Sequence, residues 1–173
     1  MHTEEYICAQ CSRVYPTCCQ LGPGNERPCF PLSPRETDNL QKHLQSDEFL
    51  VRETTSQELV QGMIHLLPEH KSKIKSIFAP GTCHLRLKTL SNGKCVLLSE
   101  HGCVLPESLR PVYCKLYPFW FYGRRLTYLA DDNCLAQHKA GNIRNLLKLF
   151  GAKPEELKRD FQAMLRGLGL EHD

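Results

Sequence analysis

No sign of charge dominates this chain. Its 22 lysines and arginines face 19 aspartates and glutamates, for a formal net charge of +3. That balance is too even to draw in nucleic acid or an anionic membrane as partner. Long apolar runs are missing too: Val96-Leu97-Leu98 and Leu66-Leu67 fall far short of a membrane span. There is no Gly-x-Ser-x-Gly, no phosphate loop and no His-Glu-x-x-His, so no nucleophile–base arrangement is defended and no enzyme activity is assigned. The first six residues, Met1 to Tyr6, have neither the basic start nor the apolar stretch of a secretory leader. Read from Met1, the expected compartment is the cytoplasm, where thiols stay reduced.

What the chain does have is cysteine, ten in 173 residues and in two groups. Cys8, Cys11, Cys18 and Cys19 stand near the start with Cys29 close behind; Cys83, Cys95, Cys103, Cys114 and Cys134 follow after a gap. At this length a core can be buried without disulfides, so reduced thiols at this density point to metal. Cys8-Ala-Gln-Cys11 has the spacing that turns two thiolates onto one ion or cluster. The doublet Cys18-Cys19 is different: adjacent side chains diverge, which suits one ligand for each of two sites, or one ligand beside a structural thiol. Cys95, Cys103 and Cys114 are too widely spaced for a knuckle, but their intervals suit loops converging on one point. Pro106 and Pro111 stiffen those loops, and Arg110, if close, would lower a thiolate pKa and offset cluster charge. Cys134 either closes the second site or packs in the core. Cys29 and Cys83 are expected to be structural thiols.

The rest of the pattern is scaffold. Residues 6–32 lack helical or strand periodicity and read as loops folded around a site. Ser33-Pro34-Arg35-Glu36 is a capping box that opens a helix. A second helix starts near Thr55-Ser56 and stops at Pro68, and Lys71 to Ile77 forms another short turn. Asn92-Gly93 predicts a tight turn before a short strand at Cys95 to Leu98, and Leu126 to Leu129 a further strand. Ile143, Leu146, Leu147 and Phe150 share one helical face that Gly151 ends, and Pro154 opens the last helix. Phe119-Trp120-Phe121-Tyr122 is expected to be core, Arg124-Arg125 a solvated pair, and Asp131-Asp132 a helix-start cap. His84, His101 and His138 lie near cysteines but without paired metal spacing, so they are expected to be core or surface histidines.

The run Lys94-Cys95-Val96-Leu97-Leu98, then Gly102-Cys103, then Arg110-Pro111-Val112-Tyr113-Cys114-Lys115-Leu116-Tyr117-Pro118-Phe119, resembles the core of the YkgJ-type cysteine-cluster family. An N-terminal cysteine group ending in a doublet, followed by an acidic residue, is similar to Cys8, Cys11, Cys18, Cys19 and Glu36 here. This chain departs from the family in a longer interval, Ser12 to Thr17, before the doublet. Members are described as zinc- or iron-chelating or iron–sulfur-containing proteins. Flagellin lysine methylases resemble the family in their cysteine pattern, which adds a component related to protein lysine methylation as a distant alternative.

The expectation is therefore one domain over residues 1–173, mostly α with short β-hairpin elements. A small cysteine-rich, metal-organised lobe would precede a C-terminal helical hairpin within a tail at 135–168. The ligand set is Cys8, Cys11, Cys18, Cys19, Cys95, Cys103, Cys114 and Cys134. The cofactor is an iron–sulfur cluster, with zinc as the alternative, in a redox or structural role. An unidentified protein is the partner class left open. A thiol–disulfide redox protein and a secreted disulfide scaffold are the competing readings, the first without a βαβ pattern around its Cys-x-x-Cys.

Overall fold

The computed structural model describes residues 7–13, 17–21 and 30–171, leaving the Cys8 side chain outside that description. Cys29 also lies outside the described residues. Helices and short antiparallel strand pairs alternate along the chain. In order they are α1 (Ile7–Cys11), α2 (Pro34–Leu44), β1 (Leu50–Thr54), α3 (Gln57–Leu66), α4 (Lys71–Ile77), β2 (Cys83–Leu87), β3 (Leu98–Ser99) and β4 (Gly102–Cys103). Then come α5 (Val112–Leu116), β5 (Phe119–Tyr122), β6 (Arg125–Tyr128), α6 (Leu135–Ala140), α7 (Ile143–Phe150) and α8 (Pro154–Gly167). Single 3-10 turns, Pro68–His70 and Glu107–Leu109, precede α4 and α5.

The mixed helix-and-hairpin expectation holds, with local differences. The reading of residues 6–32 as loops missed α1, a short helix carrying Cys8 and Cys11. Ser33 and Glu36 do form the capping box of α2. The strand expected at Cys95 to Leu98 starts at Leu98 instead, and pairs with β4 across a tight turn. Strands β1 and β2 were not anticipated. They pair in register from Leu50↔Leu87 to Thr54↔Cys83, closing a long excursion through α3 and α4. The C-terminal helices choose partners other than each other: α7 packs on α6, and α8 on α5 and β5. The αL conformation that Gly151 adopts (φ +60°) ends α7 and lets α8 turn away.

Apolar side chains form two clusters. The larger gathers Leu59, Met63 and Ile74 from the excursion, Trp120 and Phe119 from β5, and Phe161 from α8. Trp120 is fully buried and its indole N–H donates to the Leu66 carbonyl at 2.8 Å, so burying this amphipathic ring leaves no donor unmet. Phe119-Trp120-Phe121 is thus core, as its composition implies, while Tyr122 is exposed. The smaller cluster joins Leu32, Leu40, Phe49, Leu97 and Leu105, with Cys95 and Cys103 packed against it. Among the described residues no helix is long and apolar enough to cross a membrane.

Candidate metal centre

Long-range contacts bring the segments that bear the early cysteines against those that bear the later ones. Helix α1 packs on β4, which bears Cys103, and on α6, whose N-cap is Cys134. Ser12 Oγ donates to the Glu100 carbonyl at 3.0 Å, and Lys139 Nζ donates to Gln10 Oε1 at 2.8 Å. The doublet is docked separately. The Cys95 N–H donates to the Cys19 carbonyl at 2.8 Å, the Leu21 N–H to Gly93 at 3.0 Å, and Gln20 bridges Lys94. Gly93 permits this approach. Its φ is +77°, and a Cβ there would stand 1.7 Å from the Leu21 carbonyl oxygen.

Pairwise electrostatic influence links Cys11 with Cys134 and Cys19, Cys19 with Cys18, and Cys103 with Cys19. Burial raises the Cys11 pKa, and the neighbouring Cys134, Cys19 and Asp131 raise it further, against a lowering hydrogen bond from the Leu135 backbone. Burial also raises Cys103, opposed by the Leu105 backbone and by Arg110 and reinforced by Cys19. Cys19 goes the other way: a hydrogen bond from Cys18 lowers it, against burial and with help from Arg110. A hydrogen bond to the charged form and a nearby guanidinium both favour thiolate. Arg110 therefore stands where the sequence reading wanted a cation, its Nε also donating to the Leu105 carbonyl at 3.2 Å.

Two participants were missed. Tyr117 O–H donates to Asp131 Oδ2 at 2.5 Å. Burial pushes the Tyr117 pKa well above its ordinary value, and Asp131, Cys18 and Cys134 add to the rise. Asp131 is not the cap of α6, as its sequence position suggested. Its Oδ1 accepts the Asn133 N–H at 2.9 Å and its carbonyl accepts the Cys134 N–H at 3.0 Å, an Asx-type turn that presents Cys134. The available signal was Asp-Asp-Asn immediately before a cysteine. Thr17, which precedes the doublet in sequence, is buried with an Oγ1 that has no partner among the described residues.

The remaining predicted residues fall as follows. Cys95 is half-buried, with its amide on the doublet; Cys114 is exposed on α5. Cys83 is exposed at the start of β2, away from the Cys11–Cys103–Cys134 elements in sequence and in sheet pairing. His84 is buried against Thr55, and His138 Nε2 lies 2.5 Å from the Asp132 carbonyl. The eight described cysteine side chains, Cys83 included, are in no disulfide. Among the described residues, no three His, Cys, Asp or Glu side chains stand ready-formed around one ion. A small cleft of about 280 Å³, lined by Ser12, Arg13, Glu100 and His101, opens between the end of α1 and the β3–β4 turn.

Thiolate sulfur is the soft donor that zinc and iron–sulfur centres take and that magnesium and calcium do not, and Arg110 can offset charge beside thiolates without itself ligating. Comparison with protein-family models, with curated proteins and with solved structures finds no match to this chain.

Proposed function

We propose that this chain is a metal-binding protein of a reducing, cytoplasmic compartment that holds an iron–sulfur cluster, or alternatively zinc, through cysteine thiolates. The observation that supports the reading is the packing of separate cysteine-bearing segments on one another, α1 with Cys11 on β4 and α6 with Cys103 and Cys134, and the Cys18-Cys19 segment on Cys95, with pairwise electrostatic influence among these thiols. Burial keeps Cys11 and Cys103 toward the neutral thiol, while Cys18 and Arg110 draw Cys19 toward thiolate; a bound soft cation would deprotonate the remaining ligands as it binds. The ligands come from Cys8, Cys11, Cys18, Cys19, Cys95, Cys103, Cys114 and Cys134. A cluster would supply one-electron chemistry; zinc would organise the loops. Around either, Arg110 lowers the charge, Asp131 orients the Cys134 turn, and Tyr117 fixes Asp131.

Iron, sulfide and zinc analysis of anaerobically purified protein tests this. Stoichiometric metal that falls by half or more in Cys11→Ser and Cys134→Ser, but not in Cys83→Ser, supports the reading. Metal-free protein, or content indifferent to all three substitutions, overturns it. A thiol–disulfide role is the second reading, favoured by the Cys18 hydrogen bond that activates Cys19. Metal-free protein with a reversible two-electron thiol couple would turn the assignment to it.

A further inference from the structure

A second site lies apart from the sulfur chemistry. The turn Pro68–His70, the tip of the β5–β6 hairpin and α8 enclose a cleft of about 420 Å³, and no cysteine lines it. That volume falls within the range of small-molecule sites. Its base is aromatic: Phe121 and Phe161 lie with ring centroids 5.2 Å apart, and Trp120 meets Phe161 edge-on at 5.1 Å. His70, only 8% exposed, forms part of the wall.

The rim is polar. Glu69, Arg124 and Lys158 are exposed there, and their side chains make no hydrogen bond or ion pair among the described residues. On the same helix as Lys158, the side chains of Glu156, Asp160 and Arg166 are paired, with Lys153, Lys115 and Glu171. Glu69 is turned to the hairpin, for a Cβ on Gly123 would come within 3.1 Å of its Oε1. Two cations against one carboxylate leave the mouth positive over an apolar base whose Phe121 and Phe161 rings are tilted 47° to each other.

We propose that this cleft binds a small anion with a planar apolar body, of the aryl phosphate or aryl carboxylate class. Arg124 and Lys158 would hold the anionic head, the guanidinium in its two-point geometry, while the flat portion lies over Phe121 and Phe161. The sequence reading left Arg124 as a solvated charge, because the hairpin that carries it to α8 is a tertiary feature.

Phenyl phosphate is the probe, with inorganic phosphate and phenol as its two halves. The chain's single tryptophan, Trp120, touches the cleft base and reports by fluorescence. The Gly123 amide reports independently by NMR. The expected result is saturable binding of phenyl phosphate, at least about tenfold tighter than either half, weakened about tenfold by Arg124→Ala and by Lys158→Ala. Both side chains are exposed, so the melting temperature of each variant should stay unchanged. Three results overturn the proposal: no saturation at millimolar phenyl phosphate, equal binding by the double variant, or phenyl phosphate no tighter than inorganic phosphate. None depends on the metal content of the sample.

Discussion

His84 shows how one buried side chain sets a pH response. It is 7% exposed, shares a 3.1 Å hydrogen bond with Thr55 Oγ1 through Nδ1, and lies 3.7 Å from Glu53 through Nε2. Burial lowers its pKa below the ordinary 6.5; Glu53 opposes the shift and Arg86 assists it. The fold therefore prefers neutral imidazole, and unfolding takes up a proton once the pH drops below about 6.5. Stability is full above that value and declines as pH falls toward the folded pKa. Glu53 has the same sign, in a more acidic window. Hydrogen bonds from Arg86 at 2.8 and 3.0 Å hold its pKa below 4.5, so its contribution is present above that value and lost below it. Urea midpoints measured against pH should fall in two steps, and His84→Gln should flatten the upper step alone. An unaltered upper step in that variant would remove His84 as its source. The residue scale was partly legible beforehand. Glu36 was readable as a capping-box glutamate because its Ser33 partner is local. Its second bond, Oε1 accepting the Val112 N–H at 2.8 Å, spans 76 positions and left no local trace.

Among the elements, the turn at Asn92-Gly93 matters more than a turn ordinarily would. The sequence identified it correctly, since Asn-Gly is a strong turn signal and the Asn92 side chain accepts the Lys94 N–H at 3.0 Å. What the dipeptide could not tell was that the Thr17–Leu21 segment lies directly on the glycine. Gly93→Ala should therefore do more than strain a positive φ; it should push the doublet segment off Lys94 and Cys95. Hydrogen exchange would show faster Leu21 and Cys95 amides, metal content should drop, and stability should fall by about 2 kcal/mol. Retained protection at both amides would mean that the segment is anchored elsewhere. Helices α2, α3 and α4 were legible from caps, prolines and apolar spacing, all local signals. Strands β1 and β2 were not, because neither shows a clean apolar–polar alternation, with His84 and Arg86 turned inward on β2, and the stabilising partner of each is remote in sequence. The mutual packing expected of α7 and α8 failed for a related reason: a helix face declares that it is apolar, not which neighbour will cover it.

At the scale of the whole molecule, the proposed metal site and the core draw on largely separate residues. The large cluster around Trp120, Phe161 and Leu59 draws chiefly on residues beyond the first cysteine group, with Ile7 of α1 at its edge. Removing metal with a strong chelator should release α1 and the doublet segment while leaving most helices in place. Circular dichroism should keep the greater part of its far-ultraviolet signal, and the melting temperature should drop. Complete unfolding on chelation would show instead that the core cannot stand without its ligands. Of the proposed site, only the number and spacing of the cysteines could be read from the sequence. Asp131, Tyr117 and the spatial role of Arg110 emerged only once separate loops met. The clasp between Leu50–Thr54 and Cys83–Leu87 has a kinetic corollary. Its two strands cannot find each other cheaply until the intervening helices have condensed and shortened the path between them. The ladder is therefore a non-local pairing, and a polypeptide emerging from synthesis can complete this seal only after Leu87 has appeared.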